Sequence, residues 1–292
     1  MKTNWKAELI LIFATLLAAL GWIFSKEALQ GMPAFSFIGL RFLLASLCLL
    51  PFCYKELRAL NKWDILKAMA VGTLLGSSLL LWIHALSVSN ALGEGAFIMS
   101  LSMLIVPLLA WPLFNKPPEN IFWFSIPFAI MGLFLLSADV QWQASSSQSW
   151  FILAAIALAF HFNFNGKYAQ RIPTLLLTCL QLFVVGVMGL IASLSFETTS
   201  PLLESHIWGW FIMSVLFATS LRFVLQTIGQ KKCSFSLAPI IMILEPLWVV
   251  FLSTLWYQEA MPINKVYGCV LIVFSLLLYR VGGNWFVKKE AV

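Results

Sequence analysis

Charge is scarce in this chain. Of 292 residues only 10% are Asp, Glu, Lys or Arg, 61% are hydrophobic, and the mean hydropathy is +0.92. Soluble globular domains carry roughly 25% charged residues. So little charge excludes a water-soluble fold, and the chain must be dissolved mainly in lipid. Cysteine and histidine are scarce too. The five cysteines (Cys48, Cys53, Cys179, Cys233, Cys269) show no metal-ligand spacing and read as small apolar packing residues. There is no HExxH motif, no paired-Asp motif and no Ser/Lys pair on one helix. An intramembrane enzyme, such as a lipid-modifying transferase, would need a clustered constellation of that kind, so the chain is not expected to be an enzyme. No metal or cofactor is expected either. A channel would need a continuous polar stripe along several spans, and the polar residues here are isolated. A cleavable signal peptide is also missing. The first apolar run starts near Leu9 and passes Lys26 without an A-x-A-like site, so it reads as a retained span. The net charge of +6 is spread over many short loops, which fits membrane orientation and not nucleic acid.

What the chain has is long apolar runs. A membrane-spanning helix needs about 20 mostly apolar residues. Ten runs qualify: 7–29, 34–54, 66–88, 91–114, 119–138, 148–170, 174–195, 206–229, 235–257 and 263–282. The segments between them carry turn or charge signals, among them "QGMP" at 30–33, "NKPP" at 115–118 and "QASSSQS" at 143–149. With the N-terminus inside, the inner segments hold fourteen basic residues: Lys2, Lys6, Lys55, Arg58, Lys62, Lys67, Lys116, Lys167, Arg171, Lys231, Lys232, Arg280, Lys288 and Lys289. The outer segments hold two, Lys26 and Lys265, while Arg41 and Arg222 fall inside spans. This asymmetry puts both termini in the cytoplasm.

The chain also repeats itself. "PAFSFIGLRFLL" from Pro33 parallels "PTLLLTCLQLFV" from Pro173, and "SKEALQGMP" parallels "GKYAQRIP", all at an offset of 140 residues. Each copy holds five spans, an odd number, so the second copy enters the membrane from the opposite side. The expected fold is all-α, with ten transmembrane helices as two inverted five-helix repeats over 1–142 and 143–292. Such a plan is common in transporters with a central site between the halves.

The stretch from Ser234 to Tyr279, "SFSLAPIIMILEPLWVVFLSTLWYQEAMPINKVYGCVLIVFSLLLY", resembles the second-repeat signature of the EamA family. That family is the ten-span branch of the drug/metabolite transporter superfamily. Glu245, Pro246, Glu259 and Gly268 sit at the signature positions, and "GLRFLLA" at 39–45 resembles the family's second span with its arginine. Three positions depart from the pattern: Gly21-Trp22 reverses the family's Trp-Gly, Met103 stands for a proline, and Lys116 for a loop glutamate. The resemblance implies a bacterial inner-membrane carrier that exports small metabolites, amino-acid-like or amphipathic, by alternating access. It also implies that Glu259 matters. Its place at an outer helix end suggests a structural role, capping or pairing with Lys265.

Ionisable residues inside spans carry the functional expectations, because each costs about 3 kcal/mol to insert. Glu245 lies near the bilayer midplane, where it can be protonated, pair with a cation or sit in a wet cavity. Pro246 removes the donor that would bond the carbonyl of Met242. Glu245 and Pro246 are the leading candidates to hold a solute or a coupling proton; the plain alternative is a static carboxylate fixed to Arg222 or to a backbone donor. Arg41 and Glu94 are a second possible pair, and Arg41 can instead snorkel to the head groups. If Arg41 faces a cavity, its planar fork suits a carboxylate. In "AFHFNFNGKYA", His161, Asn163 and Asn165 are spaced by two, so they cannot all face one cavity. His161, Asn163, His84, Trp22 and Trp248 complete the candidate set. Expected partners are a small-molecule solute, membrane lipids and protons as a coupling ion.

Overall fold

A computed structural model describes residues 5–88, 92–136, 146–197, 205–258 and 261–289. Every described element is helical: α1 (Trp5–Ala28), α2 (Ala34–Ala59), α3 (Lys62–Ser87), α4 (Leu92–Phe114), α5 (Asn120–Leu136), α6 (Ser146–Tyr168), α7 (Thr174–Phe196), α8 (Ser205–Lys232), α9 (Leu237–Tyr257) and α10 (Ile263–Lys289). Among the described residues nine of these are long and apolar enough to cross a membrane, and α5, at 17 residues, is shorter. Large apolar side chains such as Phe124, Leu194 and Leu255 stand exposed on the outside. A monomeric soluble protein avoids extensive apolar exposure, whereas lipid solvates it. The chain is a multi-pass membrane protein.

The packing follows the repeat. Helix α1 lies against α8 and α9; five helices on, α6 lies against α3 and α4. The equivalent helices α2 and α7 pack on each other and run antiparallel, with Ser36 beside Ser193 at one end and Ser46 bonded to the Cys179 carbonyl at the other. Helices α5 and α10 do the same, from Ser125 beside Ser275 to Gly132 beside Gly268. Equivalent helices that run in opposite directions are what an inverted repeat requires. Between helices in lipid there is little hydrophobic drive, so small residues that let backbones approach do the joining. A Cβ on Gly39 would lie 2.7 Å from the Leu190 nitrogen, and one on Gly186 would lie 2.6 Å from that of Leu43.

Helix α2 begins after Pro33, which offers no side-chain cap. The cap comes from α7 instead. Glu197 accepts from the Phe35 amide at 2.6 Å and from the Ser36 amide at 2.8 Å. A carboxylate there satisfies two orphan donors and complements the positive end of the helix. Glu197→Ala should lower stability by about 1–2 kcal/mol, read as a drop in the melting temperature of the purified protein. A Glu197→Gln variant, which keeps an acceptor, should lose less. An unchanged melting temperature in the alanine variant would refute the cap.

Two spans are irregular, and both irregularities face the centre. In α8 the stretch Ser214–Leu221 is π-helical, lying between α-helical Ser205–Met213 and Arg222–Lys232. The hydroxyls of Thr219 and Ser220 share the carbonyls five residues back, those of Ser214 (2.9 Å) and Val215 (2.8 Å). In α9 the helix is interrupted at Ile243 (φ −64°, ψ −12°), between Leu237–Met242 and Leu244–Tyr257. Pro246 cannot donate to Met242 and its ring crowds that turn, which accounts for a break three residues upstream.

Candidate functional site

A cavity of about 150 Å³ lies between the repeats, walled by α1, α2, α3 and α4 on one side and α6, α8 and α9 on the other. Glu245 enters it from the first turn after the break in α9, and Pro246 lies beside it. One carboxylate oxygen of Glu245 accepts from Trp22 Nε1 at 3.0 Å; the other lies 3.8 Å from Arg222 Nη2. The second distance is an ion pair but exceeds hydrogen-bond length. Arg222 is therefore loosely held. Its Nε is buried without a partner, and its guanidinium stands 4.2 Å from the centre of the Phe223 ring.

Arg41 is held differently. It is 6% exposed, so it does not snorkel. Its Nε donates to Thr219 Oγ1 at 2.5 Å and its Nη1 to Ser25 Oγ at 2.8 Å, while Nη2 lies beside Gly21. Thr219 lies in the π-helical stretch, three residues before Arg222, so a single stretch of α8 presents a hydroxyl to one arginine and carries the other. π-Helical insertions are frequent at functional sites. Trp22 and Trp82 stack edge to face, ring centres 5.1 Å apart, and both line the cavity. The remaining wall is largely apolar, with Phe42, Leu79, Met99 and Met103.

The structure thus brings Glu245, Pro246, Arg222, Arg41, Trp22 and His161 to one cavity. Three other candidates lie elsewhere. Trp248 donates to Thr15 Oγ1 at 3.1 Å on α1. Asn163 donates to the Val106 carbonyl at 2.9 Å and the Ala159 carbonyl at 3.1 Å. It is a packing residue between α6 and α4, because its place two residues from His161 turns it off the cavity face. His84 meets Trp150 edge to face, ring centres 5.3 Å apart. The side chain of Glu94 and the whole of Glu259 lie outside the described residues. The sequence reading missed Trp82, Ser25, Thr219 and Gln226 as site residues. Trp82 reads as one more lipid-facing or packing aromatic, and Gln226 as an ordinary polar residue near a helix end. The signal for Ser25 was in the repeat: the offset of 140 carries Ser25 onto Asn165 and Arg41 onto Gln181.

That equivalence is realised in space. Arg41 bonds Ser25 at 2.8 Å, and Gln181 Nε2 bonds Asn165 Oδ1 at 2.8 Å. Gln181 also meets His161 Nε2 at 2.8 Å, and Asn165 reaches Gln230 and Thr227. The second-repeat network is made of amide, imidazole and hydroxyl groups, buried and mutually bonded. The first-repeat network carries a guanidinium.

A bundle of antiparallel apolar helices in two repeats, with charged side chains gathered at a central cavity, defines a membrane transporter architecture. The chain matches the EamA-like transporter family over residues 5–138 and again over 145–281. It belongs to that family, whose members are transporters. No match was found among the curated proteins. A solved structure described as "Crystal structure of protein" superposes with a TM-score of 0.84 at 16% identity, covering 97% of this chain and 99% of that one, which shows a shared fold.

Proposed function

We propose that the protein is a secondary carrier that exports a small organic metabolite, amino-acid-like or amphipathic, by alternating access of the central cavity. One observation carries this reading: Arg41, Arg222 and Glu245 meet at a single cavity between the repeats. Charge at that depth is costly and is kept for a task. The halves 1–142 and 143–292 are the bodies that move against each other, and all ten helices cross a bacterial inner membrane with both termini in the cytoplasm. Glu245 is the switch, alternating between Arg222, solute and a coupling proton. The break at Ile243 lets it change neighbours without unfolding the span.

Two measurements test this reading. In proteoliposomes, uptake from a panel of labelled solutes, with and without a pH gradient, should saturate and show counterflow. Flux that rises linearly with concentration and shows no counterflow would sink the carrier. For orientation, single cysteines go into a background lacking the native five. One in 143–149 should react with an impermeant thiol reagent from the periplasmic side, and one in 56–62 should not. The reverse pattern would overturn the topology.

A further inference from the structure

The cavity has an unbalanced charge. Among the described residues Arg41 and Arg222 both line it, against the single carboxylate of Glu245. Among the described residues Arg41 has no acidic partner; it is held by the neutral hydroxyls of Thr219 and Ser25. Glu245 does not neutralise Arg222 closely. One of its oxygens is fixed on Trp22, and the other stays 3.8 Å away. Arg222 Nε is buried and unpartnered. Buried charge without a close counter-charge is unfavourable, so among the described residues the site lacks an anion close to Arg222.

The shape of the missing anion follows from the donors. A guanidinium presents parallel N–H groups that match a carboxylate in two-point contact. Thr219 lies one helical turn before Arg222, so the Arg41 and Arg222 head groups converge on the same section of α8. The rest of the wall is aromatic and aliphatic, with Trp22, Trp82 and Phe42 facing inward. A cavity of about 150 Å³ is the size that admits a benzene ring.

We propose that the site takes a small organic monocarboxylate, its carboxylate on Arg222 and Arg41 and its single-ring or branched apolar body against Trp22, Trp82 and Phe42. This rests on the carrier reading and narrows its solute class. Glu245 then acts as the resident anion that the solute's carboxylate displaces from Arg222. Removing the charge of Glu245 leaves both arginines without a counter-ion, so the bound carboxylate gains in effect.

The test is a melting-temperature titration of the purified full chain in detergent with four compounds that share a phenyl body: phenylacetate, 2-phenylethanol, 2-phenylethylamine and phenylalanine. Phenylacetate should stabilise, and the alcohol and amine should not. Arg222→Gln should weaken phenylacetate binding at least about tenfold. Arg222→Lys, which keeps the charge and loses the fork, should fall between it and the wild type. Glu245→Gln should show a larger phenylacetate shift than the wild type. Equal stabilisation by the amine or the alcohol would overturn the proposal. So would no shift from phenylacetate, with or without one from phenylalanine. Carboxylate binding without counterflow would defeat the carrier reading alone; counterflow of amines without carboxylate binding would defeat this proposal alone.

Discussion

Glu245→Gln should insert and fold, yet lose the pH dependence of transport, with net transport falling to background while exchange persists. The amide keeps size and shape, and its oxygen can still accept from Trp22, which lies 3.0 Å from the wild-type carboxylate. What it cannot do is change charge. Breaking a buried ion pair by removing one partner costs about 3–5 kcal/mol. The 3.8 Å separation and partial exposure here, 17% for Arg222 and 23% for Glu245, put this pair lower, at about 1–3 kcal/mol. Adding Arg222→Gln should restore most of that loss without restoring transport. The measurements are melting temperature and pH-dependent flux in proteoliposomes for both variants. Wild-type flux at every pH in a stable Glu245→Gln protein would end the idea that this carboxylate is functional.

Leucine at Gly39 or Gly186 should prevent folding or cost more than about 3 kcal/mol, beyond the usual range for overpacking. At both places the first atom of any side chain meets backbone, at 2.7 Å for Gly39 and 2.6 Å for Gly186. A neighbouring rotamer change can relieve a clash with a flexible side chain, but not one with a peptide nitrogen in the facing helix. Helices α2 and α7 would have to separate, and their seam also carries the Glu197 cap and the Ser36–Ser193 contact. Gly209 is the control, because nothing lies within 4 Å of its Cβ position. Gly209→Ala should cost nothing. Folded yield by size-exclusion chromatography and melting temperature read the difference; a well-folded Gly39→Leu protein would contradict the crossing geometry.

The architecture was legible because lipid leaves few choices. Runs of about 20 apolar residues must become helices, since backbone polar groups in hydrocarbon are satisfied within the segment. The offset of 140 residues gave the repeat, and the antiparallel α2–α7 and α5–α10 pairs realise it. For the site, Glu245-Pro246 announces itself, because a carboxylate and a lost amide donor in mid-span need a reason. Arg41 and Arg222 stand out on the same ground.

The wall of the cavity was not legible in that way. Trp22, Trp82 and Trp248 look alike in an apolar run, yet Trp22 bonds Glu245, Trp82 packs on Trp22, and Trp248 turns to Thr15. Hydrophobic periodicity carries little signal when a helix is apolar on every side, so facing is left to the neighbours. The π-helical turn is the clearest case. "SVLFATSL" contains hydroxyls but no local rule that inserts a residue into the helical register there. Thr219 within that stretch meets Arg41, and Arg222 just after it faces Glu245. Composition and spacing determined that this chain is a repeated bundle of membrane helices with charge in its interior. Which charges meet, and which tryptophans enclose them, depended on close packing between the repeats, because that packing sets the rotation of each helix about its axis.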